Sequence, residues 1–66
     1  MPIHIKIRDY IKAQPGLTIK YVSSKADIEY QTFQLMLRGK RKITIDVYED
    51  ICRKGLGLSP KYFFDD

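Results

Sequence analysis

The sequence predicts a compact all-α domain of five short helices, and three observations predict it. Apolar residues recur at three- and four-residue spacing in successive stretches. Residues able to cap a helix through a hydroxyl stand just before several of those stretches, at Thr18, Thr44 and Ser59. Glycine and proline are few and stand at isolated points between them. The 66 residues suffice for one domain (1–66), with a thin stability margin because so short a chain buries a small fraction of its surface. A hydrophobic content of 44% is enough to build a core and excludes a disordered tail.

Helix one is expected from about Ile5 to Gln14. Ile3, Ile7 and Ile11 form an i, i+4 stripe with Tyr10 beside it, and Lys6, Arg8, Asp9 and Lys12 fall largely between. Ile3, Ile5 and Ile7 also alternate with His4 and Lys6 as a strand would, so the first residues are ambiguous. Pro15-Gly16 ends the helix. Thr18 caps helix two, which runs to about Ala26 with Val22 and Ala26 facing inward. After a short break at Asp27 and Ile28, helix three spans about Tyr30 to Leu37. Phe33, Met36 and Leu37 form its buried side, and Tyr30, Gln31, Gln34, Leu35 and Arg38 lie on or near the other.

Gly39 suits the positive φ of a helix stop. Thr44 caps helix four, about Ile45 to Lys54, whose apolar set is Ile45, Val47, Tyr48, Ile51 and Cys52. Asp46 in its first turn and Arg53 and Lys54 in its last suit the helix dipole, and Gly55 and Gly57 close it. Ser59-Pro60 starts a last short helical turn at Lys61–Phe64. Leu56, Leu58, Tyr62 and Phe63 are expected to seal the bottom of the core.

Residue chemistry argues against several functions. One cysteine, Cys52, supports no disulfide framework, and its place in an apolar helical pattern suggests a reduced, partly buried side chain. The lone His4 has no cysteine or histidine partner at metal spacing, so a packing or surface role is expected and no metal or cofactor. There is no phosphate-cradling glycine loop and no nucleophile with a base, so an enzyme is not expected. With no signal peptide and no apolar run near membrane length, the expected home is the cytosol.

The formal charge of +4 comes from 12 basic and 8 acidic residues, and its distribution says more than its size. Arg38, Lys40, Arg41 and Lys42 crowd four cations into five positions, and Arg53 and Lys54 add two more. Acids gather at Asp46, Glu49, Asp50, Asp65 and Asp66. A basic side suggests a phosphate-rich partner, although a solvated helix end and loop would look the same by charge alone. The central pair of helices adds to this. A tight turn separates them, and the second exposes polar and aromatic side chains and runs straight into the cations. Major-groove recognition needs short hydrogen-bonding side chains on one helix and phosphate-holding cations at its flanks.

The stretch Thr18 to Lys42, TIKYVSSKADIEYQTFQLMLRGKRK, resembles the helix-turn-helix of the Cro/C1-type (XRE-family) phage and bacterial repressors. That pattern has a capping Ser/Thr, a hydrophobic residue four positions on, a small residue, a tight turn, an apolar residue, and a recognition helix ending in R-G-K. Here these are Thr18, Val22, Ser23, Asp27, Ile28 and Arg38-Gly39-Lys40. The ending GLGLSPKYFF is similar to the family's tail, so the resemblance covers nearly the whole chain. It departs where Ser23 replaces the usual Ala, Asp27 the usual Gly, and Ile19 the usual Gln that grips a phosphate. A hydroxyl at Ser23 needs a partner, and aspartate tolerates left-handed backbone geometry better than most residues. Asp27 and Glu29 place negative charge near the expected DNA.

The resemblance implies a five-helix lambda-repressor-like domain with its helix-turn-helix at about 18–38, and a regulator of transcription, most simply a Cro-like repressor occupying an operator. It implies base contacts from Tyr30, Gln31 and Leu35, with Gln34 and Thr32 nearby. Phosphate contacts would come from Arg38, Lys40, Arg41 and Lys42, with Lys20 and Lys25 as further candidates. It also implies a homodimer on a palindromic duplex. The candidate dimer surfaces are Tyr62, Phe63 and Phe64 at one end of the chain and Ile3 and Ile5 at the other. The alternative is a protein-interaction module on the same fold, such as an antirepressor or an inhibitor of a host factor, motivated by Ile19, Leu35, Asp27 and Glu29.

Overall fold

A computed structural model describes residues 2–64; Met1 and the acidic pair Asp65 and Asp66 lie outside the described residues. The described residues are helical, without a strand. Among the described residues four α-helices succeed one another: α1 (Ile3–Ala13), α2 (Ile19–Lys25), α3 (Tyr30–Leu37) and α4 (Ile45–Asp50). The last runs into a π-helical segment, Ile51–Leu56, and a 3-10 turn, Pro60–Phe63, ends the order.

The count of α-helices is therefore four and not the expected five. The expected fourth helix changes its winding at Ile51, and the expected fifth is one 3-10 turn. Its proline stands at the first position, where no backbone N–H is needed, and the Ser59 hydroxyl accepts from the Lys61 N–H at 3.4 Å. Nor do the glycines close α4 as a pair. Gly55 lies inside the π-helical segment, and only Gly57, with φ +68°, is its left-handed stop.

The start of α1 resolves the helix-or-strand ambiguity. Helix begins at Ile3, just after Pro2, whose carbonyl accepts from the N–H groups of Ile5 and Lys6 at 3.1 and 3.2 Å. Ile7 and Ile11 then share the buried face, while Ile3 is half-buried. Lys6 reaches from α1 to the carbonyl of Phe63 with its ammonium at 2.9 Å, tying the first helix to the last turn.

The core gathers Ile7 and Ile11 of α1, Val22 and Ala26 of α2 and its end, Phe33, Met36 and Leu37 of α3, then Tyr48, Ile51, Cys52 and Phe63. Phe33 is its largest fully buried side chain. Leu56 and Leu58 pack against it as expected, whereas Tyr62 is half exposed and meets Tyr10 edge to face at 5.4 Å. Ile45 departs furthest from expectation. It sits in the first turn of α4, and 77% of its surface faces solvent. The apolar stripe enters the core one turn later, at Tyr48.

Cys52 is a free, buried cysteine. Burial pushes its thiol up, against a smaller opposing influence of the Tyr48 hydroxyl and of Arg53, which favours the neutral, unreactive form. Burial first, and the neighbouring Cys52 second, push Tyr48 above its ordinary value, and its hydroxyl donates to the carbonyl of Pro60. No helix among the described residues is long and apolar enough to cross a membrane.

Helix α2 and the π-helical segment come closest at Gly55. A Cβ on Gly55 would stand 2.8 Å from Val22 Cγ1 and 3.3 Å from the Val22 carbonyl oxygen. Val22 is fully buried and β-branched, so it has no free rotamer to yield. Gly55→Ala is expected to lower the unfolding free energy by about 1–3 kcal/mol, as overpacking does. In a urea double-mutant cycle, Val22→Ala should cost less in the Gly55→Ala background than alone. Purely additive costs would contradict a steric contact between these two positions.

Candidate nucleic-acid interface

Two helix ends, built alike, set the position of α3. Helix α2 starts where the Thr18 hydroxyl accepts from the Tyr21 N–H at 3.0 Å. At its far end the Ile28 N–H donates to the Ser23 carbonyl at 2.9 Å and the Asp27 N–H to the Ser24 carbonyl at 3.2 Å. This is the Schellman pattern, which needs a left-handed residue just past the helix end. Asp27 supplies it with φ +59°, the one positive value among the described residues that are not glycine. The expectation that aspartate would carry this turn is met. So is the need for a partner at Ser23, whose buried hydroxyl donates to the Lys20 carbonyl at 2.8 Å.

The end of α3 repeats the pattern one helix later. The Lys40 N–H donates to the Leu35 carbonyl at 2.9 Å and the Gly39 N–H to the Met36 carbonyl at 3.0 Å, with Gly39 at φ +77°. Gly39 carries a second constraint. A Cβ there would lie 2.7 Å from Nε2 of His4, so the imidazole of α1 packs on the glycine that launches the basic loop. His4 therefore has a packing role, one of those expected from sequence.

Between these ends α3 turns Phe33, Met36 and Leu37 inward. Its outer side presents Tyr30 (41% exposed), Gln31, Leu35 (38% exposed) and Arg38. Gln34 and Thr32 are half-buried and engaged within the helix. The Gln34 amide donates to the Tyr30 hydroxyl at 2.8 Å, and the Thr32 hydroxyl donates to Glu29 Oε1 at 2.9 Å. Spacings of four and three residues permit both pairs, which join four side chains expected from the sequence to act separately.

Lys40, Arg41 and Lys42 are exposed on the loop after α3, and Lys20 and Lys25 on α2. Among the described residues the ion pair is Lys54 with Asp50 at 3.7 Å, which leaves Arg38, Lys40, Arg41, Lys42, Lys20 and Lys25 without a carboxylate partner there. Lys25 lies over the ring of Tyr21 at 5.6 Å. Ile19, which stands where the resembled family has a phosphate-gripping glutamine, is half-buried and packs on the core. Asp27 and Glu29 are exposed in the turn that leads into α3.

A second surface was not foreseen as one unit. Ile3, Ile43, Ile45, Tyr48, Pro60 and Phe64 line an open apolar groove of about 400 Å³. It unites one residue from each candidate dimer patch, Ile3 and Phe64, with the exposed Ile45. Phe63 is excluded, because it turns into the core. Tyr62 and Ile5 do not line the groove. Glu49 and Lys61 stand at its edge, both exposed. Compared with protein-family models, with curated proteins and with solved structures, the chain finds no match.

Proposed function

We propose that this chain is a sequence-specific regulator of transcription that binds double-stranded DNA, a Cro/C1-like repressor in the cytoplasm with a lambda-repressor-like helix-turn-helix formed by α2 and α3. One observation carries the proposal: the outer side of α3 runs without interruption from exposed Tyr30, Gln31 and Leu35 into the exposed cations Arg38, Lys40, Arg41 and Lys42. In the major groove Gln31 can bridge N6 and N7 of adenine, and Tyr30 or Leu35 can meet a thymine methyl. The cations then hold the phosphates on either side and fix the register. Gln34 acts through Tyr30 by holding its hydroxyl.

One such helix reads a short site, and a two-fold dimer on a palindromic operator reads two of them, about 34 Å apart. The groove at Ile45 and Phe64 is the surface we assign to this dimer. A two-fold axis sets each residue of a patch against its counterpart's neighbours, so Glu49 on one copy can meet Lys61 on the other, and the reverse. Exposed Ile45 and Phe64 would be covered at the same time. The other reading, a protein-interaction module, finds support in the exposed apolar side chains Tyr21 and Leu35 and in the exposed acids Asp27 and Glu29 just before α3.

Selection of bound duplexes from a random pool separates the two readings. An enriched motif is expected, with affinity falling steeply as salt rises, because each neutralised phosphate releases counterions. Gln31→Ala should relax one position of the motif. Lys40→Ala should weaken all sequences alike and reduce the salt slope by about one. Absence of any enriched motif at low salt, with a protein captured instead, would favour the interaction module. In sedimentation experiments the parent chain is expected to dimerise with rising concentration and Phe64→Asp to remain monomeric; a parent that stays monomeric at every concentration would rule the dimer out.

A further inference from the structure

Glu29 is an odd residue to find where a duplex would lie. It immediately precedes α3, at the end of the helix that enters the groove in the proposed docking, and its carboxylate is exposed. Glutamate at this position has no capping hydrogen bond to the backbone of its own helix. Instead Oε1 accepts from the Thr32 hydroxyl at 2.9 Å, which holds the carboxylate against the first turn of α3 and leaves Oε2 without a protein partner among the described residues. A carboxylate only accepts hydrogen bonds, and phosphates repel it. Set against base edges, it therefore selects strongly.

In the major groove guanine shows two acceptors at N7 and O6, and thymine shows an acceptor at O4. All three repel a carboxylate. Adenine shows a donor at N6 beside an acceptor at N7, a pair that suits an amide such as Gln31. Cytosine shows a donor at N4 with no acceptor beside it, and this is the edge that accommodates an anion without a penalty.

We propose that Glu29 is a specificity residue that accepts a hydrogen bond from the N4 amino group of a cytosine in the bound duplex, with Thr32 as its positioning residue. The inference rests on the proposed duplex binding and names part of the sequence that the duplex must contain. The acid weakens attraction to DNA in general and makes it conditional on one base. Thr32, taken from the sequence as a neighbour of the bases, instead acts through Glu29.

The test is parallel selection from one random duplex pool with the parent chain, Glu29→Gln and Thr32→Val, with circular dichroism confirming that each is folded. The parent should enrich a motif holding cytosine at one fixed position. Glu29→Gln should turn that position to adenine or lose the preference there, with the rest of the motif kept, and Thr32→Val should relax the same position alone. Replacing that cytosine by thymine should weaken the parent about tenfold and leave Glu29→Gln nearly unaffected. An unchanged motif in Glu29→Gln, or a variant that binds every duplex more tightly by the same factor, overturns the role of Glu29 and leaves the duplex reading standing. No enriched motif from any of the three chains overturns both.

Discussion

The close approach of α2 to the π-helical segment, made possible by the missing side chain at Gly55, is the constraint on which the rest of the arrangement depends. Val22 fills the space that a Cβ on Gly55 would take, and Ala26 lies one turn farther along the same side. Both are buried, as are Ile51 and Cys52 of the opposing segment. With α2 held there, its end has one direction in which to leave. The left-handed Asp27 then sends the chain into α3 so that Phe33 enters the core. The polar side of α3 faces out because its apolar side is already committed.

The two helix stops work in sequence on this frame. The first, at Asp27, aims α3, and the second, at Gly39, aims the basic loop. Both satisfy the last carbonyls of their helices by the same pair of backbone hydrogen bonds, so loose helix ends are avoided in a chain with little stability to spare. Aspartate in a left-handed conformation costs more than glycine would, and it places an anion beside the proposed contact surface. On the proposed reading, Asp27 and the carboxylate of Glu29 both hold affinity for DNA down in favour of selectivity.

Much of this was legible in the sequence because local chemistry dictated it. The bounds of α3, the caps at Thr18 and Thr44, the inward set Val22, Ala26, Phe33, Met36 and Leu37, and the strain-tolerant Asp27 each stem from a residue type at a definite spacing. What escaped depended on partners distant in the chain. A π-helical winding after Ile51 keeps the same apolar residues inward, so periodicity did not distinguish it from α-helix. Gly55 looked like a helix stop, and only the nearness of Val22 reveals it as a packing position. The groove draws on Ile3, Ile43–Tyr48 and Pro60–Phe64, three segments that no local pattern joins. The exposure of Ile45 reversed expectation for the same reason.

On the proposed reading, the outer side of α3 and the loop after it form one contact surface for duplex DNA. Titration of the isotopically labelled chain with the duplex, monitored through its backbone amide resonances, tests this most directly. The shifts are expected to concentrate between Tyr30 and Lys42, with smaller ones near Lys20 and Lys25, and added salt should reverse them. Shifts confined to the Ile45–Phe64 groove, or none at low salt, would contradict it.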